Sequence, residues 1–387
     1  RLSGPRRTLM HRRIARVMAT EPDPDGALAG EVFVHATRGG DPALAVPFAV
    51  AAGDRALKLA AFEDAWKVAD HGLVEIAKLP DDETIESHVA LLRILVLAGL
   101  GRRRGEFLVE ELQAAADRAH AQGLHAVVRE ARWLLSVVTE EAGDLDAARR
   151  HSLGAEQAGR AADAKTRLQA LANTGRCLVQ LEREPDRAAS LLQEARELSA
   201  SLDIPILDIP WGLGLLHILN GKVAEARAAL EEGAAMAAAE DNHWAEFECR
   251  SRLSMLDFAE GDLGAVEGRD PKLRLLADKL GEGSEGALAG VILALARRKA
   301  GADSAGLDEA LAALRAADSK GLLAWALNES ARLDHAEEDL ESAAARAREA
   351  MTAAQSVGRH RQYQRAKELL EMADPSATCD DNPMEDA

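Results

Sequence analysis

Turns built from Gly and Asp recur along this chain, and after most of them comes a helix with small residues at fixed places. The turns read Gly40-Asp41-Pro42, Gly143-Asp144-Leu145, Asn220-Gly221-Lys222 and Gly261-Asp262-Leu263, with Glu184-Pro185-Asp186 and Asp339-Leu340-Glu341 in the same frame. Small residues then repeat at a spacing of seven: Ala45/Ala52, Ala65/Gly72, Ala148/Ala155, Ala188/Ala195, Ala226/Gly233, Ala310/Ala317 and Ala343/Ala350. Seven residues are about two helical turns, so both members of a pair share a face and let a second helix approach closely. Glycine gives the backbone freedom that ends one helix, and Asp caps the next. Each unit is a helix–turn–helix hairpin that cannot bury its own apolar face and must stack on neighbours. The expected fold is an all-α solenoid of about eight or nine antiparallel hairpins, since solenoids grow by repetition.

Composition agrees and excludes alternatives. Hydrophobic residues make up 47% of 387, too many for a wholly disordered chain, while aromatics are only 3%. Hairpins packed on Ala and Gly need small residues where a globular core uses large ones. No uncharged apolar run is long enough for a transmembrane helix. A net charge of −18 argues against nucleic acid as a ligand of the whole surface. Cys177, Cys249 and Cys379 are too far apart for a metal or redox motif and too few for a disulfide framework. A reducing cytoplasm is the expected compartment.

Breaks in the pattern are also legible. Around Glu106 to Gln122 the small residues drift, and after Gly261 the second helix is expected to be interrupted by Pro271 and Gly281. Pro205 and Pro210 force an extended or kinked entry before Trp211.

The phrasing resembles the tetratricopeptide repeat: Asn173-Thr174-Gly175 matches the family's first-helix phrase, and Gly214 takes the same glycine position before Asn220-Gly221. The resemblance implies a right-handed superhelix whose first helices line a concave surface. Near the start, Arg6 to Ala15, Phe33 to Ala36, Gly40 to Ala45, Ala51 to Leu57 and Ala61 to Ala65 follow one another in a second recognisable order. That order resembles the passage from nucleotide-binding core to repeat arm in large bacterial signalling ATPases of the STAND class. These are the MalT-like and LuxR-type regulators and the ATPase-bearing class III adenylate/guanylate cyclases. The resemblance implies three parts: an Arg-rich helix at 1–20 ending a missing upstream nucleotide-binding domain, a repeat array over 21–373, and a disordered tail at 374–387. Residues 1–20 carry six arginines and no acid; the tail carries five acids, no base and two prolines. Arg6, Arg7, Arg12 and Arg13 are the candidate interdomain or self-association surface. No Gly-x-x-x-x-Gly-Lys-Ser/Thr loop and no terminal DNA-binding helix-turn-helix occurs in the chain.

Sites of chemistry are hard to find. The eleven histidines include no His-Glu-x-x-His and no close Cys/His cluster, and His120 and His125 are split by Gly123. Adjacent carboxylates such as Glu140/Glu141 and Glu231/Glu232 do not face each other on a helix. Gly39-Gly40 and Gly212-x-Gly214 follow no strand and read as turn and close-packing positions. Arg102-Arg103-Arg104 and Arg297-Arg298-Lys299 fall at inter-helix turns, where cations complement helix C-termini. No catalytic, cofactor-binding or metal-ligating residue is assigned, and the chain is not expected to be an enzyme.

Trp133, Trp211, Trp244 and Trp325 fall on first helices, and Trp66 on a second helix. With their polar companions they define a candidate groove of Arg132, Trp133, Asn173, Arg176, Trp211, His217, Trp244, Arg250, Asn328 and Arg332, with Arg252 beside them. Trp and Arg dominate binding hot spots, so such a groove suits a peptide or an acidic ligand. The competing reading is that the rings pack between hairpins and the arginines pair with the abundant acids. The expected function is therefore binding: a protein or peptide partner, or a small-molecule inducer, sensed and relayed to an effector. The alternative is a free-standing scaffold or self-associating adaptor. Neither direct nucleic-acid contact nor membrane contact is expected.

Overall fold

The computed structural model describes residues 3–23, 25–80, 84–99, 105–281, 283–301 and 305–376. Nineteen α-helices and no strand occur among the described residues. The chain forms two compact units, Arg1–Thr174 and Gly175–Ala387. In the first stand α1 (Gly4–Met18), α2 (Ala29–Arg38), α3 (Pro42–Lys58), α4 (Phe62–Ile76), α5 (Ile85–Gly99), α6 (Gly105–Ala121), α7 (His125–Glu141) and α8 (Leu145–Arg160). The division falls within α9 (Ala164–Gln180). The second unit continues with α10 (Pro185–Leu202), α11 (Asp208–Leu219), α12 (Val223–Ala239), α13 (His243–Glu260) and α14 (Leu263–Leu280). It ends with α15 (Glu285–Lys299), α16 (Ala305–Ala316), α17 (Lys320–Ala336), α18 (Leu340–Ser356) and α19 (His360–Ala373).

All six predicted turns join consecutive helices, and they share one backbone device. An amide donates to the carbonyl five residues back: Asp41 to Ala36, Asp144 to Thr139, Arg183 to Leu178, Lys222 to His217, Asp262 to Asp257 and Asp339 to Asp334, at 2.9–3.0 Å. This bond needs a left-handed residue at the turn. Gly143 and Gly261 supply it at φ 82° and 83°, while Glu338 takes φ 63° without glycine's freedom. The Asp144, Asp262 and Asp339 carboxylates then accept from Ala147, Ala265 and Ser342 amides, capping the next helix.

Six of the seven small-residue pairs are buried. Their purpose is visible at Gly72, where an added Cβ would stand 2.7 Å from Leu91 Cδ2 and 3.1 Å from Ala49 Cβ. The Ala310/Ala317 pair does not hold: Ala310 is half-buried, and Ala317 is exposed beyond the end of α16. That helix instead buries Leu307, Leu311 and Leu314. Pro271 does not interrupt α14 either. The helix runs through it to Leu280, with the ring on the exposed side, and stops at Gly281. Residues around Glu106 likewise form an unbroken α6. Pro205 lies in the extended link and Pro210 in the first turn of α11, where its missing amide costs no bond.

Within each unit, odd-numbered helices touch one another directly as well as their sequence neighbours. In the first unit α3 meets α5 and α5 meets α7; in the second α13 meets α15, α15 meets α17 and α17 meets α19. Within each unit these odd helices thus form a layer, backed by the even ones. Buried polar side chains concentrate on that odd layer, including Arg129, Thr174, Arg176, Asp257, Arg298, Asn328 and Asp334. None of the described helices is long and apolar enough to cross a membrane.

Candidate functional site

The four first-helix tryptophans do fall on odd helices, α7, α11, α13 and α17, and Trp66 on α4. In the first unit, Arg129 joins two of the candidates: it donates to Asn173 Oδ1 and lies 5.7 Å from the Trp133 ring centre. Arg132 points elsewhere, its stem beside Gly154 on α8 and its guanidinium 3.4 Å from Gln113 Oε1 of α6.

In the second unit Arg176 is buried, yet it is fully engaged. It donates to Asp208 Oδ1 at 2.5 Å and Gln180 Oε1 at 2.7 Å, and stacks 4.3 Å over the Trp211 ring. Trp211 is buried and meets Trp244 edge-on at 5.2 Å. Its indole Nε1 has no hydrogen-bond partner, nor does His217 Nδ1. Gly233 of α12 backs this cluster, with an added Cβ 3.1 Å from Cys249 Sγ. Burial, then the Glu248 charge, push the Cys249 thiol up to about 12. Folded protein at pH 8 is therefore expected to yield no alkylated Cys249 in peptide mapping, with labelling appearing only on denaturation.

Helical period sorts the remaining candidates. On α13, Trp244, Glu248, Ser251 and Met255 form one stripe at i, i+4, i+7 and i+11, and on α17 Gly321, Trp325, Asn328 and Arg332 repeat it 77 residues later. Except for buried Ser251 and Asn328, these residues are half-buried. Between the two stripes lies α15, whose half-buried positions include the small Ala287 and Ala294. The three helices converge at Phe258, with Lys299 Nζ 4.9 Å and Arg332 5.9 Å from its ring centre. Half-buried Trp244 and Met255 on α13, and Trp325 and Arg332 on α17, thus flank α15 as a candidate trough over its small Ala287 and Ala294. Arg252 borders it, paired with Glu248 at 3.3 Å. Arg250 lies on the α14 side, sharing buried Glu246 with Lys272. Burial of Glu246 opposes ionisation, but bonds from Lys272 and Arg250 outweigh it and lower its pKa.

Asn328 is fully buried on its stripe. Its Nδ2 donates to the Gln362 backbone and side-chain oxygens, both at 2.9 Å, while its Oδ1 has no partner. Sequence reasoning missed Asp208, Gln180 and Gln362, the partners of Arg176 and Asn328. Gln180 sits one turn from Arg176 and was legible; the others lie about one hairpin away in sequence.

The arginines of the first helix divide. Arg6, Arg7 and Arg13 are exposed, beside exposed Leu9, Met10 and Val17. Arg12 instead donates to the Gly39 and Gly40 carbonyls at 2.9 Å, and Arg16 pairs with Asp41 at 2.9 Å. His11 and His35 meet Nδ1 to Nδ1 at 2.8 Å. Partial burial, then the charges of His35, Arg38 and Arg7, lower the His11 pKa. A lowered histidine pKa favours the docked state above the ordinary 6.5 and loses that contribution as pH falls through it. Hydrogen exchange in α1, corrected for intrinsic rate, is therefore expected to quicken between pH 7.5 and 5.5, with His11→Gln flattening the change.

Arg102-Arg103-Arg104 lie outside the described residues, as does the tail beyond Ser376. In the second basic run, Lys299 does reach a helix end, donating to Phe258 O at 2.9 Å, but Arg298 turns inward to Asp334 at 2.6 Å. No group of three or more His, Cys, Asp or Glu able to hold a metal occurs among the described residues.

No protein-family model and no curated protein matches the sequence. Among solved structures, a Rap protein complexed with competence and sporulation factor aligns over 93% of this chain and 99% of its own, at 13% identity and a TM-score of 0.64. The apo form of RapI aligns over 92% and 98%, at 12% identity and a TM-score of 0.54. Identities this low speak for fold alone: over nearly its whole length this chain is similar to the Rap proteins in its tetratricopeptide-like array of helical hairpins.

Proposed function

We propose that this chain binds a peptide or an extended protein segment in the trough between α13 and α17 and acts as the sensing arm of a signalling system. The carrying observation is the pair of matching stripes, Trp244/Glu248/Ser251/Met255 on α13 and Gly321/Trp325/Asn328/Arg332 on α17, which flank α15 with its small half-buried residues. Half-buried Trp and Arg on a layer of paired, buried polar groups give a rigid surface on which apolar anchors and carboxylates can dock. The complex of a Rap protein with competence and sporulation factor supports ligand binding by this kind of array. A small-molecule inducer fits the same trough less well, because its half-open positions extend along about three helical turns.

The finer reading is a repeat arm of a STAND-class ATPase, with the exposed Arg6, Arg7 and Arg13 facing a nucleotide-binding domain or a second copy. It rests on the order of motifs from Arg6 to Ala65. The test of binding is fluorescence anisotropy of the full chain against a labelled peptide library. Trp325→Ala and Arg332→Ala are each expected to weaken the best binder at least tenfold with little loss of thermal stability. Unchanged affinity in both variants, or no binder at all, overturns the assignment.

A further inference from the structure

The first turn of α19 reaches three other odd helices of the second unit. Arg359 Nη1 donates to Gln180 O, the last carbonyl of α9, and Arg361 Nη1 donates to Leu219 O, the last carbonyl of α11, at 3.1 Å. These contacts join residues 179 and 142 positions apart. Gln362 holds Asn328 of α17, and Arg359 Nε lies 3.7 Å from where a Cβ on Gly321 would stand. One turn of helix therefore links the α17 stripe to the ends of α9 and α11, closing the second unit on itself.

Both grips use the same physics. The last carbonyls of a helix lack amide partners and carry its negative pole, so a guanidinium there bonds and neutralises at once. Each grip is modest, and Arg361 is exposed. A closure built from two such contacts is the kind that a moderate differential affinity can open or shut.

The gripped helices also carry the Arg176–Trp211 cluster. Gln180 offers its backbone oxygen to Arg359 and its side-chain oxygen to Arg176. At its start α11 is held by Arg176 through Asp208, and at its end by Arg361 through Leu219.

We propose that Arg359 and Arg361 form a clasp, positioning residues that set the placement of α9 and α11 and tie it to the state of the α17 stripe. A ligand that moves Asn328 or Trp325 pulls on Gln362 and so on the clasp; by reciprocity, a closed clasp lowers affinity for a ligand that opens it. The coupling to a ligand rests on the trough reading above; the clasp itself does not.

Hydrogen exchange of the ligand-free full chain tests it. In Arg359→Ala/Arg361→Ala, amides in 176–184 and 208–222 are expected to exchange at least fivefold faster, with α15 unchanged. The conservative Arg359→Lys/Arg361→Lys variant, which keeps the cation, is expected to regain most of that protection. Faster exchange confined to 357–373, or none, overturns the clasp. Because no ligand is used, absence of any peptide binder would sink the trough and leave this result standing.

Discussion

Asp334→Ala is expected to destabilise the second unit by about 3–5 kcal/mol, the cost of stranding a buried charge when its partner is removed. The Asp334 carboxylate is almost wholly buried and is clamped from two helices, by Arg298 at 2.6 Å and by Arg346 at 2.7 and 2.8 Å. Burial alone would lower the Arg298 pKa, but the bonds it donates to Glu337 and Asp334 raise it, so the guanidinium stays charged. Without Asp334 it keeps only the half-exposed Glu337, and its Nη1 has no partner even now. The same clamp stands 77 residues earlier, where Asp257 takes Arg227 at 2.5 Å and Arg269 at 2.7 Å. Urea denaturation followed by circular dichroism measures the loss. Arg315→Ala, which breaks the exposed pair with Glu349, is the control and is expected to cost under about 1 kcal/mol. Equal effects of the two substitutions would show that the buried clamp contributes no more than a surface pair.

Gly39→Ala is expected to detach α1 from the rest of the chain. The backbone at Gly39 has φ −80°, so alanine is locally unstrained. Its Cβ, however, would stand 2.7 Å from both Arg12 N and Arg12 Cα, main-chain atoms that no rotamer change can move. Overpacking of this kind costs about 1–3 kcal/mol. Against that, α1 buries only Ala15 completely, and its Arg12 and Arg16 bonds are lost together once the helices part. Limited trypsin digestion reads the outcome, because Arg6, Arg7, Arg12, Arg13 and Arg16 all lie on α1. Cleavage there is expected to quicken at least tenfold. Gly30→Ala meets nothing within 4 Å and is expected to leave it unchanged.

The hairpins were legible because their determinants are local. A turn at Gly143-Asp144 and the Ala148/Ala155 pair lie within a dozen residues, and both are where the pattern puts them. Ala310/Ala317 misled because an Ala-rich stretch offers small residues everywhere, while Leu307, Leu311 and Leu314 decide which face of α16 is buried. Pro271 misled because a proline breaks a helix through one lost amide and one clash, and on an exposed face both are tolerated. The candidate groove was legible as residue types and not as geometry. Trp325 was placed on the correct helix from its spacing, but the sequence does not say that Arg252 borders the Trp244 stripe through Glu248 while Arg250 turns to Glu246. Arg129 with Asn173, 44 residues apart, could not be paired at all.

The repeated turn bond between an amide and the carbonyl five residues before it has a consequence for how such a chain can change. It is made entirely by main chain, so the register between consecutive helices is stored in the peptide group and not in any particular pair of side chains. Side chains are then free to be rewritten for a new partner while the joints stay as they are. Hairpins can be added or dropped at a joint wherever the faces that become neighbours still fit. Specificity and length become separate variables, and a protein built this way can be retuned for a new ligand without being refolded.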